Sequence, residues 1–154
     1  DSVVLRGTIR SYKPEVREKL LAGVRRTAAA AAMMGGASEP SVALVPGGMA
    51  IMNDGALVGR TVSALKGVLG DAQVVAAPPI TASEDFSEFV NAGIPSMFFF
   101  VGVSSPEEVA DARKPGGKPL PFNHSPFFAP VPEPSIKTGV KAMSVAVLTA
   151  MAPK

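Results

Sequence analysis

Proline placement constrains this chain more than any other feature, because seven of its fifteen prolines lie within residues 104–133. The Gly116-Gly117 pair falls in the same segment. Proline fixes φ and lacks a backbone N–H, so we expect no regular helix or strand to persist there. A segment of this length without secondary structure is typical of a functional or a disordered loop. The regular elements are therefore predicted on either side of it.

Three stretches carry apolar residues at helical spacing. The first begins at Pro14 and is stopped by the Gly35-Gly36 pair. The second covers residues 56–69 and the third covers residues 134–151. In the third, the spacing predicts an inward face made of Ile136, Val140, Met143, Val147 and Met151.

Strand-like segments alternate with these helices. Residues 3–10, 41–45 and 74–77 are short, β-rich and bounded by turn residues. Residues 94–103 contain a core that is apolar at every position, as in a strand covered on both faces. The alternation favours an α/β fold in two regions, residues 1–53 and 54–154.

Composition narrows the possible partners. With 47% hydrophobic and 18% charged residues, the chain has enough apolar material for a core. Scattered basic residues, one Tyr and no Trp argue against a nucleic-acid surface, and no apolar run is long enough to span a membrane. The absence of Cys excludes disulfides and thiolate metal sites within this chain but leaves the compartment, cytoplasmic or periplasmic, undetermined. A start at Asp1 rather than Met predicts a processed product or part of a longer protein.

His124, the only histidine, is the first candidate for chemistry. It lies in the proline-rich segment, and Phe122, Phe127 and Phe128 around it could exclude water. The Ser125-Pro126 pair favours a defined turn beside it. Imidazole suits metal binding, but a metal site needs three or four ligands, and a lone histidine is also compatible with a packed or surface residue.

Ser83 and Glu84 form a second candidate. Ser83 is placed to cap a short helix, with Glu84 and Asp85 in its first turn. The carboxylates could act as ligands or proton carriers, or only satisfy the helix dipole. Arg10 could bind a carboxylate through both arms of its guanidinium, or could be a solvated edge-strand residue. Asn53 is also explained by a turn at Asn53-Asp54-Gly55.

Several motifs together resemble one family. These are Gly7-Thr8-Ile9-Arg10-Ser11, Pro14-Glu15-Val16-Arg17, Asn53-Asp54, Ser83-Glu84-Asp85-Phe86, Phe98-Phe99-Phe100-Val101-Gly102 and Asn123-His124-Ser125-Pro126. In this order they resemble the metal-dependent aminoacylase and carboxypeptidase superfamily, in its branch of hippurate hydrolases and indole-acetyl-amino-acid hydrolases. The resemblance covers essentially the whole chain, whereas members of that family are more than twice as long.

The resemblance implies a fold and a division of roles. Residues 1–53 would be the second half of a ferredoxin-like lid that dimerises, and residues 54–154 the C-terminal part of a zinc-exopeptidase-like three-layer α/β/α catalytic domain. His124 matches the last histidine ligand of a two-metal centre that holds zinc, or manganese, cobalt or nickel. Substrate contact, or support behind the metal ligands, is implied for the remaining matched positions: Arg10, Asn53, Ser83, Glu84 and Gly102. The catalytic glutamates and the other metal ligands would lie in an N-terminal half outside this chain.

The implied reaction is hydrolysis of the amide bond of N-acyl amino acids or related small peptides. The partners would be such a substrate, the N-terminal half of the enzyme and a second subunit bound through the lid. The isolated chain is expected to be inactive, because one histidine cannot retain two metals. A non-catalytic α/β dimerisation module is the alternative, and a metal-free dimer indifferent to chelators would favour it.

Overall fold

The computed structural model describes residues 2–152. They form five α-helices, namely α1 (Pro14–Met34), α2 (Gly55–Leu69), α3 (Ser87–Asn91), α4 (Pro106–Ala112) and α5 (Pro132–Met151), with a 3₁₀ turn at Asp71–Gln73. The chain divides into two compact units. The first unit consists of Asp1–Asp54 and Ala76–Met97, and the second of Gly55–Val75 and Phe98–Lys154.

The predicted α/β fold, with its ferredoxin-like lid and three-layer catalytic domain, is wrong for this structure. None of residues 2–152 lies in a β-strand. The segments predicted as strands are extended, and side chains such as Val4, Val45, Val75 and Phe100 are exposed. A strand requires a neighbouring strand to pair its backbone N–H and C=O groups, and β-propensity largely reflects packing against such a neighbour. These segments have no such neighbour within the described residues.

In the first unit, α1 begins at Pro14 and ends before Gly35, as the sequence predicts. Proline fits the first helical position because its missing N–H would have no partner there. The Gly35 N–H donates to the Ala31 carbonyl oxygen at 3.0 Å and closes the last turn. No residue of α1 is buried, and no other described helix packs against it.

In the second unit, α2 and α5 pack against each other. Thr61 and Leu65 of α2 and Ala142 of α5 are buried. Small residues at three- and four-residue spacing form the less exposed face of α5: Ser135, Thr138, Gly139, Ala142, Val145, Ala146 and Thr149. Such residues let two helices approach closely, so the pair buries α2 against the small-residue face.

The inward face predicted for α5 is therefore wrong. Ile136, Val140, Met143, Val147 and Met151 are all exposed. Helical spacing shows that these side chains share one face, but which face is buried depends on the partner. Here α2 takes the face that carries the smaller side chains.

The expectation that residues 104–133 contain no regular element is also wrong, because α4 lies within them. The Ser105 Oγ accepts a hydrogen bond from the Glu108 N–H at 3.2 Å, and the Glu108 carboxylate accepts one from the Ser105 N–H at 2.8 Å. Pro106 occupies the first helical position. The Ser-x-x-Glu spacing with proline at N1 is a helix-start signature in the sequence, and it outweighs the proline content around it.

The division into residues 1–53 as part of a lid and residues 54–154 as part of a catalytic domain assigns roles within a larger enzyme, and it stays a prediction. None of the helices that residues 2–152 form is both long and apolar enough to cross a membrane.

Candidate functional site

His124 lies at the centre of a tight turn in the second unit. The Ser125 N–H donates to the Phe122 carbonyl oxygen at 2.8 Å, and the Phe128 N–H donates to the Ser125 carbonyl oxygen at 3.1 Å. The Phe127 N–H also donates to the Ser125 Oγ at 3.2 Å. The defined turn predicted from Ser125-Pro126 is therefore confirmed, and these bonds hold the backbone on both sides of an exposed imidazole.

The aromatic side chains around His124 do not form the water-excluding wall that the sequence suggested. Phe122 and Phe127 are 69% and 79% exposed. Phe128 alone is half-buried. The turn fixes the backbone through local hydrogen bonds, but burial of the rings would need a packing partner that the described residues do not supply.

Glu84 belongs to a turn that leads into α3 in the first unit. Its carboxylate accepts a hydrogen bond from the Phe86 N–H at 3.4 Å. Its carbonyl oxygen accepts one from the Ser87 Oγ at 3.1 Å. The helix starts at Ser87 with Phe86 as its N-cap, so the prediction that Ser83 caps it is wrong. Ser83 and the Glu84 side chain are exposed.

The Gly47-Gly48 loop is held from two sides within the first unit. On one side, the Arg17 guanidinium donates to the carbonyl oxygens of Gly47 at 3.0 Å and Gly48 at 3.5 Å. On the other, a Cβ at position 48 would lie 3.0 Å from the Ser87 Oγ. Ser87 is fully buried. Glycine at position 48 thus permits this close approach.

Arg17, Gly48 and Ser87 were not predicted as site residues. The Gly47-Gly48 pair predicts a turn at this loop, but a glycine pair does not indicate which residues the turn contacts. The Ser87 hydroxyl lies close to Gly48 and donates to the Glu84 carbonyl oxygen. Glu84, a predicted site residue, therefore lies next to the Gly47-Gly48 loop, and no sequence pattern connected the two.

The other predicted residues of the first unit lie on extended backbone. Arg10 is exposed on the segment that precedes α1. Asn53 is exposed directly before Asp54, whose N–H donates to the Ser96 carbonyl oxygen at 2.8 Å. Ser96 is itself buried. This bond anchors the backbone next to Asn53.

Gly102 is exposed in the second unit, and a Cβ added there would meet nothing within 4 Å. The next residue, Val103, accepts through its carbonyl oxygen from the Val131 N–H at 2.8 Å and from the Ser135 Oγ at 3.4 Å. Gly102 therefore lies next to a residue that is bound to the start of α5. The hydrogen bonds of the His124 turn join only residues within that turn, so none of them connects it to Gly102.

The donor set can be tested against the metal centre that the resemblance implies. Within residues 2–152, no three or more His, Asp or Glu side chains lie together in a group that could hold a metal ion, and the chain has no Cys. The described residues do not fit a complete metal centre. A metal ion at His124 would need further ligands from outside the described residues.

Cavities do not locate the site either. One, of about 180 Å³, lies in the first unit beside Arg25 and Glu39. Another, of about 480 Å³, opens beside the C-terminal end of α4 and includes Asp111 and Lys114. Neither is lined by any residue that the sequence predicts to contact a metal or a substrate.

Comparison with known proteins shows a similarity over part of the chain. Over 114 residues the chain is 32% identical to a protein of Sinorhizobium fredii named "Uncharacterized hydrolase y4tI". The alignment covers 73% of this chain and only 28% of that protein. The chain matches no protein-family model and no solved structure. The similarity supports a relationship to hydrolases, without a reaction type or a substrate.

Proposed function

We propose that this chain is the C-terminal portion of a metal-dependent amidohydrolase that cleaves the amide bond of N-acyl amino acids or related small peptides. The observation that carries the hydrolase part is the 32% identity over 114 residues to a protein named as a hydrolase. The amide substrate and the metal are supported by the sequence motifs, which occur in one order from Gly7 to Pro126. The activity would belong to a longer protein, of which this chain supplies one part.

His124 would supply one metal ligand. Its exposed imidazole lies on a backbone fixed by the hydrogen bonds of Ser125, Phe127 and Phe128. A fixed backbone reduces the entropy lost when the imidazole binds a metal. Because zinc takes three or four protein ligands, the others would come from residues outside this chain. Zinc, manganese, cobalt and nickel are all candidates for the metal.

Arg10 and Glu84 would act on the substrate side. The guanidinium of Arg10 is a planar fork that can bind a carboxylate through two parallel hydrogen bonds, and N-acyl amino acids carry such a carboxylate. The Glu84 carboxylate accepts one bond at 3.4 Å from the Phe86 N–H, which leaves further lone pairs for a substrate N–H. Asn53, Ser83 and Gly102 are exposed and would contact the substrate or support residues that do.

The test uses the protein encoded by the whole reading frame that contains this chain. We expect it to hydrolyse N-acyl amino acids, to lose activity on chelation and to regain it with zinc, manganese, cobalt or nickel. His124→Ala should lower metal content and reduce hydrolysis more than about 100-fold, the upper range for loss of a residue that only supports a ligand. The 154-residue chain alone should neither retain a metal nor turn over substrate.

Lys118→Ala is the matched control, because it removes an exposed side chain from the same proline-rich segment. It should leave metal content and hydrolysis unchanged. Unchanged metal content and rate in His124→Ala would refute the ligand assignment. Activity that survives complete chelation would refute metal dependence while leaving hydrolysis in place.

A further inference from the structure

One face of α5 is apolar, exposed and without a partner among the described helices. We call it the outer face of α5, and it consists of Ile136, Val140, Met143, Val147 and Met151. The five side chains are between 47% and 77% exposed. They recur every three or four residues and make a continuous uncharged stripe roughly 22 Å long, at 1.5 Å rise per residue.

The outer face is distinct from the face through which α5 already packs. The opposite face of α5 packs on α2 through Ala142, which is 3% exposed. Among the described helices, α2 is the only one in contact with α5. A continuous exposed apolar face on a helix that already packs through its other face is typical of a surface that contacts another polypeptide.

The chain exposes more surface than a self-contained protein of its mass. Its accessible area is 12,324 Å². A self-contained monomer of this mass exposes about 7,300 Å², and two separate self-contained units of half the mass expose about 8,800 Å² in total. Compared with the larger of these two values, the chain exposes roughly 3,500 Å² more accessible surface. Burying the outer face of α5 would account for part of that excess.

The length of the relative indicates what covers this face. The aligned region is 28% of the S. fredii protein, so a much larger remainder accompanies the corresponding segment there.

We propose that the outer face of α5 is the surface on which the remaining part of the hydrolase packs. This rests on the proposed function in one respect, that the chain is a portion of a longer hydrolase. The occupant is a polypeptide surface that is apolar and free of charge over the length of the stripe, because a charge buried against it would lack a partner. Contact with that surface buries the outer face of α5 and joins this chain to the rest of the protein.

The experiment expresses the polypeptide encoded in frame ahead of Asp1 and this 154-residue chain as two separate chains. Light scattering then measures complex formation, and titration measures the dissociation constant. We expect a 1:1 complex. The double substitution Val140→Glu with Val147→Glu should weaken it at least about 100-fold, since it places two unpaired carboxylates in an apolar contact.

Lys141→Glu is the control, because it introduces the same side chain one residue from Val140 but off the stripe. It should change the dissociation constant less than about threefold, as expected for an exposed charge at the rim. Circular dichroism should show unchanged helix content in both variants, because all three positions are exposed in the isolated chain. Val140→Ala with Met143→Ala, which adds no charge, should weaken the complex about tenfold.

Three outcomes would overturn the proposal. The first is a complex that the double glutamate variant forms as tightly as the wild type. The second is dimerisation of the chain alone that this variant abolishes, which would make a second copy the occupant. The third is the absence of any encoded partner ahead of Asp1. A wild-type complex that forms but does not hydrolyse N-acyl amino acids would instead refute the proposed function and leave the docking surface in place.

Discussion

The two compact units stabilise their long helices in different ways. In the second unit, α2 and α5 bury Leu65, Thr61 and Ala142 between them. In the first unit, α1 is of similar length but buries nothing. Its Arg17 side chain donates hydrogen bonds to the carbonyl oxygens of the Gly47-Gly48 loop in the same unit.

The comparison shows that an amphipathic pattern does not by itself bury a helix. In α1 the apolar side chains of Val16, Leu20 and Val24 are exposed, and in α5 the whole outer face is exposed. The burial in the second unit comes instead from small residues of α5 that let α2 approach closely. In α1 the alanine run at residues 28–32 offers small side chains too, but no described helix packs against it.

The largest expected effect comes from truncating the α2 core. Leu65→Ala should lower the free energy of unfolding by about 2–5 kcal/mol, because it opens a cavity at a buried leucine. Leu20→Ala in α1 should lower it by no more than about 1 kcal/mol, since that side chain is 41% exposed. Urea unfolding followed by circular dichroism checks both values. Equal losses at the two positions would break the contrast between the units.

Glycine substitutions give the next largest effect. A Cβ at Gly117 would lie within 3 Å of the carbonyl oxygens of Asp111 and Ala112, so the loop after α4 rests directly on the helix backbone. Gly117→Ala should therefore destabilise the second unit by about 1–3 kcal/mol, as overpacking does. Gly102→Ala is the control, because nothing lies within 4 Å of its added Cβ. Thermal unfolding of the two variants should differ clearly, and identical midpoints would contradict the close contact.

The smallest effect tests the polar contact of the first unit. Arg17→Ala removes the guanidinium bonds to Gly47 and Gly48 and should destabilise the loop by about 1 kcal/mol, as is typical of hydrogen bonds near the surface. Backbone amide hydrogen exchange of residues 47–49 should accelerate correspondingly. Arg26→Ala, at another exposed arginine of α1, should leave it unchanged. Equal exchange in both variants would mean that Arg17 does not hold the loop.

Much of the helical structure could be predicted from local signals. Pro14 and Gly35 mark the ends of α1, and the spacing of residues 56–69 matches α2 within one residue. The start of α4 also has a local signature, Ser105-Pro106-Glu107-Glu108. The surrounding prolines predicted an irregular segment instead. Extended segments could not be assigned as strands in the same way, because a strand depends on a neighbour that lies elsewhere in the chain.

In the candidate site, too, local contacts could be predicted from the sequence and distant contacts could not. The turn at His124 follows from Ser125-Pro126, because its hydrogen bonds join residues two or three positions apart. The burial expected from Phe122 and Phe127 does not occur, since it would need residues far away in sequence. The contact between Gly48 and Ser87 spans a long stretch of chain, and no local pattern indicates it.

By itself, the sequence determined where α1, α2 and α5 lie and how the chain turns at His124. These features depend on contacts within a few residues, which composition and spacing encode directly. Only the tertiary structure decided which face of α5 is buried, that the extended segments within residues 2–152 form no strands, and that the Glu84 turn meets the Gly48 loop. Each of these depends on the shape of a distant surface, and burial is favourable only where a complementary surface is present.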